Sequence, residues 1–155
     1  MSAADQETNQ PVFNIEKIYV KDLSLEIPHS PQIFLERESP QIDVQLNTQT
    51  ALIEGDVYEV IITNTVTASI GEKVMFLIEA KQAGIFRLSN LPSEDVEPVL
   101  AVMCPNILFP YLRELVSNIA VRAGFAPVLL NPVNFDILYQ QHKREQAQAG
   151  ANTTH

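Results

Sequence analysis

The apolar pattern of this chain changes period once, near Leu91, and that change restricts its architecture more than any other feature. Before it, apolar residues alternate: Ile42, Val44 and Leu46 against Asp43, Gln45 and Asn47, then Tyr58, Val60, Ile62, Val66 and Ala68 against Glu59, Thr63, Thr65 and Thr67. Val74, Phe76, Ile78 and Ala80 then share one face of a further strand, opposite Met75, Leu77, Glu79 and Lys81. Glu54-Gly-Asp56 and Ile70-Gly-Glu-Lys73 supply hairpin turns between these runs. After Leu91 the apolar residues recur three or four apart, as on a helix. Strands followed by helices predict an α+β fold, with a four-stranded antiparallel sheet and the helices packed on it.

The first strand, Val12 to Ile27, changes phase. Phe13 and Ile15 share one parity, Ile18 and Val20 the other, and Leu23, Leu25 and Ile27 return to the first. Either bulges re-aim the side chains, or both faces meet apolar surface. The connection from Pro28 to Pro40 is punctuated by proline yet carries Ile33, Phe34 and Leu35. Phe34 there either plugs a gap in the core or forms the wall of a groove. On the second face of the sheet Ile61, Met75 and Leu77 accompany acids, the composition of a docking surface for a basic, partly apolar partner.

In the helical half, Ser93 is placed to cap a short helix with Val96, Val99, Leu100 and Met103 along its stripe. A longer helix is expected to start at Asn106 as N-cap, because Pro105 biases Cys104 away from helical dihedrals; Pro110 then falls in its first turn. Leu108, Leu112, Leu115, Val116 and Ile119 form its core stripe, and Gly124 ends it. Phe109 and Tyr111 lie partly off the stripe and are the candidates for a subunit interface. Pro127 to Pro132 reads as an extended crossing, and Asn134 caps a last helix that turns polar after Tyr139.

A chain of 155 residues fits one domain, expected over 11–146 between a polar arm at 1–10 and a small-residue tail at 147–155, both read as disordered. The single cysteine, Cys104, makes no internal disulfide, and a reducing cytoplasmic setting is the natural reading. No apolar run reads as a membrane span. Nineteen acidic residues against ten basic give a net charge of −9, which disfavours nucleic acid as a partner. Spacings for zinc, calcium or a phosphate-cradling loop are missing, and His29, His142 and His155 suggest no base for a nucleophile. The chain is therefore read as non-enzymatic, with no cofactor.

Six runs in order carry a resemblance to a known family. They are Lys17-Ile-Tyr-Val-Lys-Asp-Leu-Ser-Leu-Glu26, Asp56-Val-Tyr-Glu-Val60, Val66-Thr-Ala-Ser-Ile-Gly-Glu72, Gly84-Ile-Phe86, Cys104-Pro-Asn-Ile-Leu-Phe-Pro-Tyr-Leu-Arg-Glu114 and Pro132-Val-Asn-Phe-Asp136. From about Phe13 to Tyr139 the chain resembles SecB, the bacterial export chaperone family. The resemblance implies a homotetramer, a dimer of dimers with the long helices packed between sheets. It further implies a holdase that keeps precursor proteins unfolded and delivers them to the SecA motor. Carried over residue by residue, the client-binding groove maps to Tyr19, Leu25, Ile33, Phe34, Phe135, Leu138 and Tyr139, and the motor-docking face to Asp22, Glu26, Leu77 and Glu79. The alternatives from residue chemistry alone are a carrier of one small apolar ligand and a thioester hydrolase of hotdog type.

Overall fold

A computed structural model describes residues 10–152. The expected arm at 1–10 lies outside the described residues apart from Gln10, as does the end of the expected tail at 153–155. Four antiparallel strands form one sheet in the order β1-β4-β3-β2: β1 (Val12–Glu26), β2 (Gln41–Glu54), β3 (Val57–Ile70) and β4 (Lys73–Ser89). The predicted meander is β2-β3-β4, and both of its two-residue hairpin loops open on glycine at positive φ, Gly55 at 55° and Gly71 at 61°. Because β1 lies beside β4 at the far edge, the proline-rich connection must cross the end of the sheet to start β2. A short 3-10 turn, Gln32–Leu35, lies within that crossing.

The phase change in β1 comes from two bulges, one between Ile15 and Lys17 and one between Val20 and Asp22. With them, Phe13, Ile15, Ile18, Val20, Leu23 and Leu25 all fall opposite even-numbered β4 residues, the parity that faces the helices. Val60, Ile62, Val66, Ile78, Phe86 and their neighbours supply the sheet side of the core.

The helical layer departs from the expected break at Cys104. Residues from Ser93 to Arg122 form one helix, in which α1 (Ser93–Pro98) passes through a π turn (Val99–Met103) into α2 (Cys104–Arg122). Cys104 is helical, at φ −64° and ψ −47°, so Asn106 is an interior residue and no N-cap. Ser93 is not a cap either; Pro92 precedes the first turn, with no side-chain capping bond. The wide turn immediately before Pro105 gives its ring room where a regular α turn would clash, which is how the helix passes the proline unbroken. Pro110 consequently lies well inside the helix rather than in its first turn.

Leu108, Leu112, Val116 and Ala120, one turn apart, are fully buried against β4 and β3. At about 1.5–3 kcal/mol for each large side chain withdrawn from water, this stripe is a principal anchor of the helix on the sheet. Gly84 lets the layers approach: a Cβ there would lie 2.8 Å from the Phe86 ring and 3.0 Å from Leu108. The fused helix reaches a mean hydropathy of 1.4 and is long enough to cross a membrane, a length that the expected break had concealed. Its apolar stripe is a core face here, and Arg113 and Glu114 sit halfway along it.

Phe109, expected off the core, is buried within its own chain, its ring edge-on to Phe135 at 5.9 Å and 72° with Arg113 over its face. Tyr111, half-exposed, shares the outward surface of the helix with Met103 and Val121.

A Schellman motif closes α2. Gly124, at φ 95°, donates to the Val121 carbonyl at 3.0 Å, and Phe125 donates to the Ala120 carbonyl at 3.0 Å. An extended segment then leads to α3 (Phe135–Asn152), whose Ile137 N–H donates to the Asn134 side-chain oxygen at 3.0 Å, the predicted cap. The helix continues through Ala147 to Asn152, past the point where the sequence predicts order to end.

Candidate functional site

The fused helix covers the two central strands and leaves the helix-side flanks of the edge strands open. On β2 this exposes Ile42 and Val44, each 48 % accessible, along the floor of a trough. Four cavities follow one another along this strand. The first, about 290 Å³, lies between the crossing connection and Phe125; the second, about 570 Å³, shares Ile42 and Pro127 with it. The third, about 250 Å³, meets the second at Leu46 and Leu138, and the fourth, about 360 Å³, meets the third at Thr48, Tyr139 and His142. From Ile42 to Thr50 the trough spans roughly 27 Å at ~3.4 Å per residue, room for a stretch of extended chain.

One end of the trough is built on aromatic packing. Phe34 stacks on Phe125 at 5.1 Å, and Phe125 leans on Phe76 at 4.8 Å. Ile33 is buried beneath them, whereas Phe34 remains 46 % exposed. At the other end α3 places Phe135 in the floor, Tyr139 in the wall and the half-exposed Leu138 on the rim. Glu36 lies at the first end and Glu97 at the other, while the central cavity is lined without a charged side chain.

Five of the seven predicted groove residues thus belong to one trough, and two do not. Tyr19 is on the opposite face of the sheet, because the bulge after Ile15 reverses the parity; it pairs across from Ala83 and donates a hydrogen bond to Glu59. Burial pushes the Tyr19 phenol up to about 12, with the Glu59 carboxylate acting in the same direction. Leu25 does face the helix side, but at the β1 edge, across β4 and β3 from the trough. The residues that sequence reading missed are Ile42, Val44 and Leu46 as floor and Val128, Leu129 and Leu130 as far wall. Both runs are visible as apolar; their meeting depends on β2 being an edge strand, which periodicity does not reveal.

The second candidate surface lies on the other face of the sheet. Glu26 pairs with Leu77, Ser24 with Glu79 and Asp22 with Lys81, so Asp22, Glu26, Leu77 and Glu79 occupy three successive cross-strand rows. The middle strand continues those rows through Thr67, Thr65 and Thr63, and Asp43 extends the first of them on β2. Two residues expected to be exposed on this face are buried: Ile61 beside Ala83 and Gln49, and Met75. Cys104 lies in the core, where burial pushes its thiol up to about 12 and keeps it protonated.

Comparison with known proteins adds identity to this geometry. The family model described as SecB, preprotein translocase subunit SecB, matches residues 6–146. The protein-export protein SecB of Nitrosomonas eutropha is 66 % identical over 140 residues, 89 % of this chain and 88 % of that protein. The protein of the same name from Methylobacillus flagellatus is 58 % identical over 153 residues, 99 % of this chain and 97 % of that one. A SecB-like chaperone of Mycobacterium tuberculosis, solved in complex with a peptide from an antitoxin, shares the fold at a TM-score of 0.64 and 15 % identity, over 78 % of this chain and 90 % of that one. The chain belongs to the SecB family, and its role is that of a chaperone in protein export.

Proposed function

We propose that the trough along β2 receives extended segments of unfolded precursor proteins and holds them without chemical change. The observation that carries this reading is the continuity of the trough. It offers apolar floor and walls over a length suited to extended chain, open along one side, with uncharged lining at the centre and acids at the ends. Such a surface favours apolar segments with basic flanks over any one sequence. Phe34 and Leu138 are the exposed client-contacting residues of this proposal, with Ile33, Phe135 and Tyr139 forming the buried floor and wall that hold them in place. The single thiol of the chain, Cys104, is held protonated in the core by its burial.

The acidic rows of Asp22, Glu26, Leu77 and Glu79 are the proposed docking face for the SecA motor. Their position on the face away from the trough would let client and motor be held together. The outward surface of the fused helix, with Met103, Tyr111 and Val121, is the proposed contact between copies in a cytoplasmic tetramer built as a dimer of dimers.

Replacing Phe34 and Leu138 together by alanine tests the trough. Fluorescence titration with a denatured, slow-folding precursor is expected to show an affinity loss of about tenfold or more, with the oligomer unchanged by native mass spectrometry. Unchanged affinity would move client binding elsewhere.

A further inference from the structure

Asn64 is an oddity in the central cavity. It lies on β3 with the parity of the core, between Leu46 on β2 and Ala80 on β4, and is fully buried. Its side-chain nitrogen donates to the Gln45 carbonyl at 3.0 Å, which fixes the orientation of the amide. Its side-chain oxygen is buried and has no hydrogen-bond partner among the described residues. The side chain lines the cavity of about 570 Å³, whose walls are apolar at Phe109, Val128, Leu130 and Leu138, with Asn131 the one other polar side chain among its lining residues. An unpaired carbonyl in such surroundings is costly, and an incoming N–H has most to gain there.

We propose that Asn64 is the main-chain anchor of the trough, its side-chain oxygen accepting a hydrogen bond from one backbone N–H of the bound chain. This rests on the trough being the client site. An extended segment entering it exchanges water for apolar walls, and each of its amides loses a hydrogen bond unless the protein supplies another. Side chains alternate along such a segment, so apolar ones lie against the cavity walls while one backbone N–H between them is drawn inward to the buried Asn64 oxygen. Asn64 serves the one group that nearly every residue carries, which gives a fixed seat without a sequence requirement. Proline is the exception, having no N–H, so a segment with proline at the seat is disfavoured.

The test couples the side chain to the client nitrogen. The probe is a short synthetic peptide rich in leucine and phenylalanine with terminal lysines, together with versions each N-methylated at a single backbone nitrogen. Unmutated protein is expected to bind one of these versions roughly tenfold more weakly than the parent peptide, the equivalent of one buried hydrogen bond. In Asn64→Leu the parent peptide should bind more weakly, and the penalty at that one nitrogen should vanish. If the Asn64 variant proves unstable, the Asn64 side-chain amide signals in nuclear magnetic resonance of the unmutated protein give the same answer. They should shift with the parent peptide and remain in place with the sensitive N-methyl version. Equal methylation profiles in the two proteins, with Phe34 and Leu138 still required for binding, would overturn the anchor and leave the trough standing. Binding indifferent to Phe34 and Leu138 would overturn both.

Discussion

Phe34 rests over Gly124: the position a Cβ would take on that glycine is 3.0 Å from the Phe34 ring. The residue that ends α2 and the residue that walls one end of the trough therefore share a single contact, and Gly124 is constrained twice, by its φ of 95° and by the ring above it.

Gly124→Ala should consequently cost about 1–2 kcal/mol of stability from backbone strain and displace Phe34 from its stack on Phe125. Chemical denaturation reads the first effect and client titration the second. A normal client affinity would mean that the Phe34 position is irrelevant to capture.

Asn134→Ala removes the cap of α3 and should destabilise the protein by roughly 0.5–2 kcal/mol. Leu138 and Tyr139 stand on the first turns after that cap, so faster hydrogen exchange over residues 135–139 is expected together with weaker client binding. Protection equal to that of the parent protein would show that packing of Phe135 alone fixes the helix start.

Reversing charge with Asp22→Lys and Glu79→Lys should abolish association with the SecA motor and leave client capture intact, since the two surfaces are on opposite faces of the sheet. Pull-down with purified motor and a parallel client titration separate the cases. Loss of both activities would point instead to a damaged sheet.

Tyr19, Glu59 and Lys21 set opposite limits on a pH window. The Tyr19 phenol is raised from 10.0 to about 12 in the folded chain, so its contribution is complete below pH 10.0 and is lost as pH climbs towards 12. The Glu59 carboxyl is held below its ordinary 4.5 by the Lys21 ammonium first and by Tyr19 second, so its contribution is complete above pH 4.5 and falls in acid. Thermal melting across pH should show Tyr19→Phe losing less stability than the parent between pH 10.0 and 12. Identical alkaline limbs would dissociate the pair from stability.

Much of this fold can be read from the residues, and the failures have physical causes. Hairpins at Gly55 and Gly71, the helix stop at Gly124 and the cap at Asn134 are local chemistry, and each is found where its residue predicts. The break before Asn106 was expected from the local rule for residues preceding proline, which a π turn and the buried stripe of α2 together override. Tyr19 enters the groove only through the family resemblance, and the ladder places it on the face away from the trough, opposite Ala83. Leu77 and Glu79 share a face by simple parity on β4, whereas Asp22 and Glu26 join them only through the register that the β1 bulges set. The middle of the trough required the strand order, and the parity of Asn64 alone does not reveal that its oxygen lacks a partner.

The two residues that β1 has in excess of β4, Glu16 and Lys21, are the ones that reach sideways to Arg87 and Glu59, at 2.9 and 2.8 Å. Excising both would leave every remaining side chain of the strand on its present face, since Ile15 to Lys17 and Val20 to Asp22 already alternate once the extra residue is gone. The length of this strand and the sidedness of its surface are thus separable properties. A relative two residues shorter here would keep the same apolar and acidic surfaces and lose only a pair of lateral charge clamps.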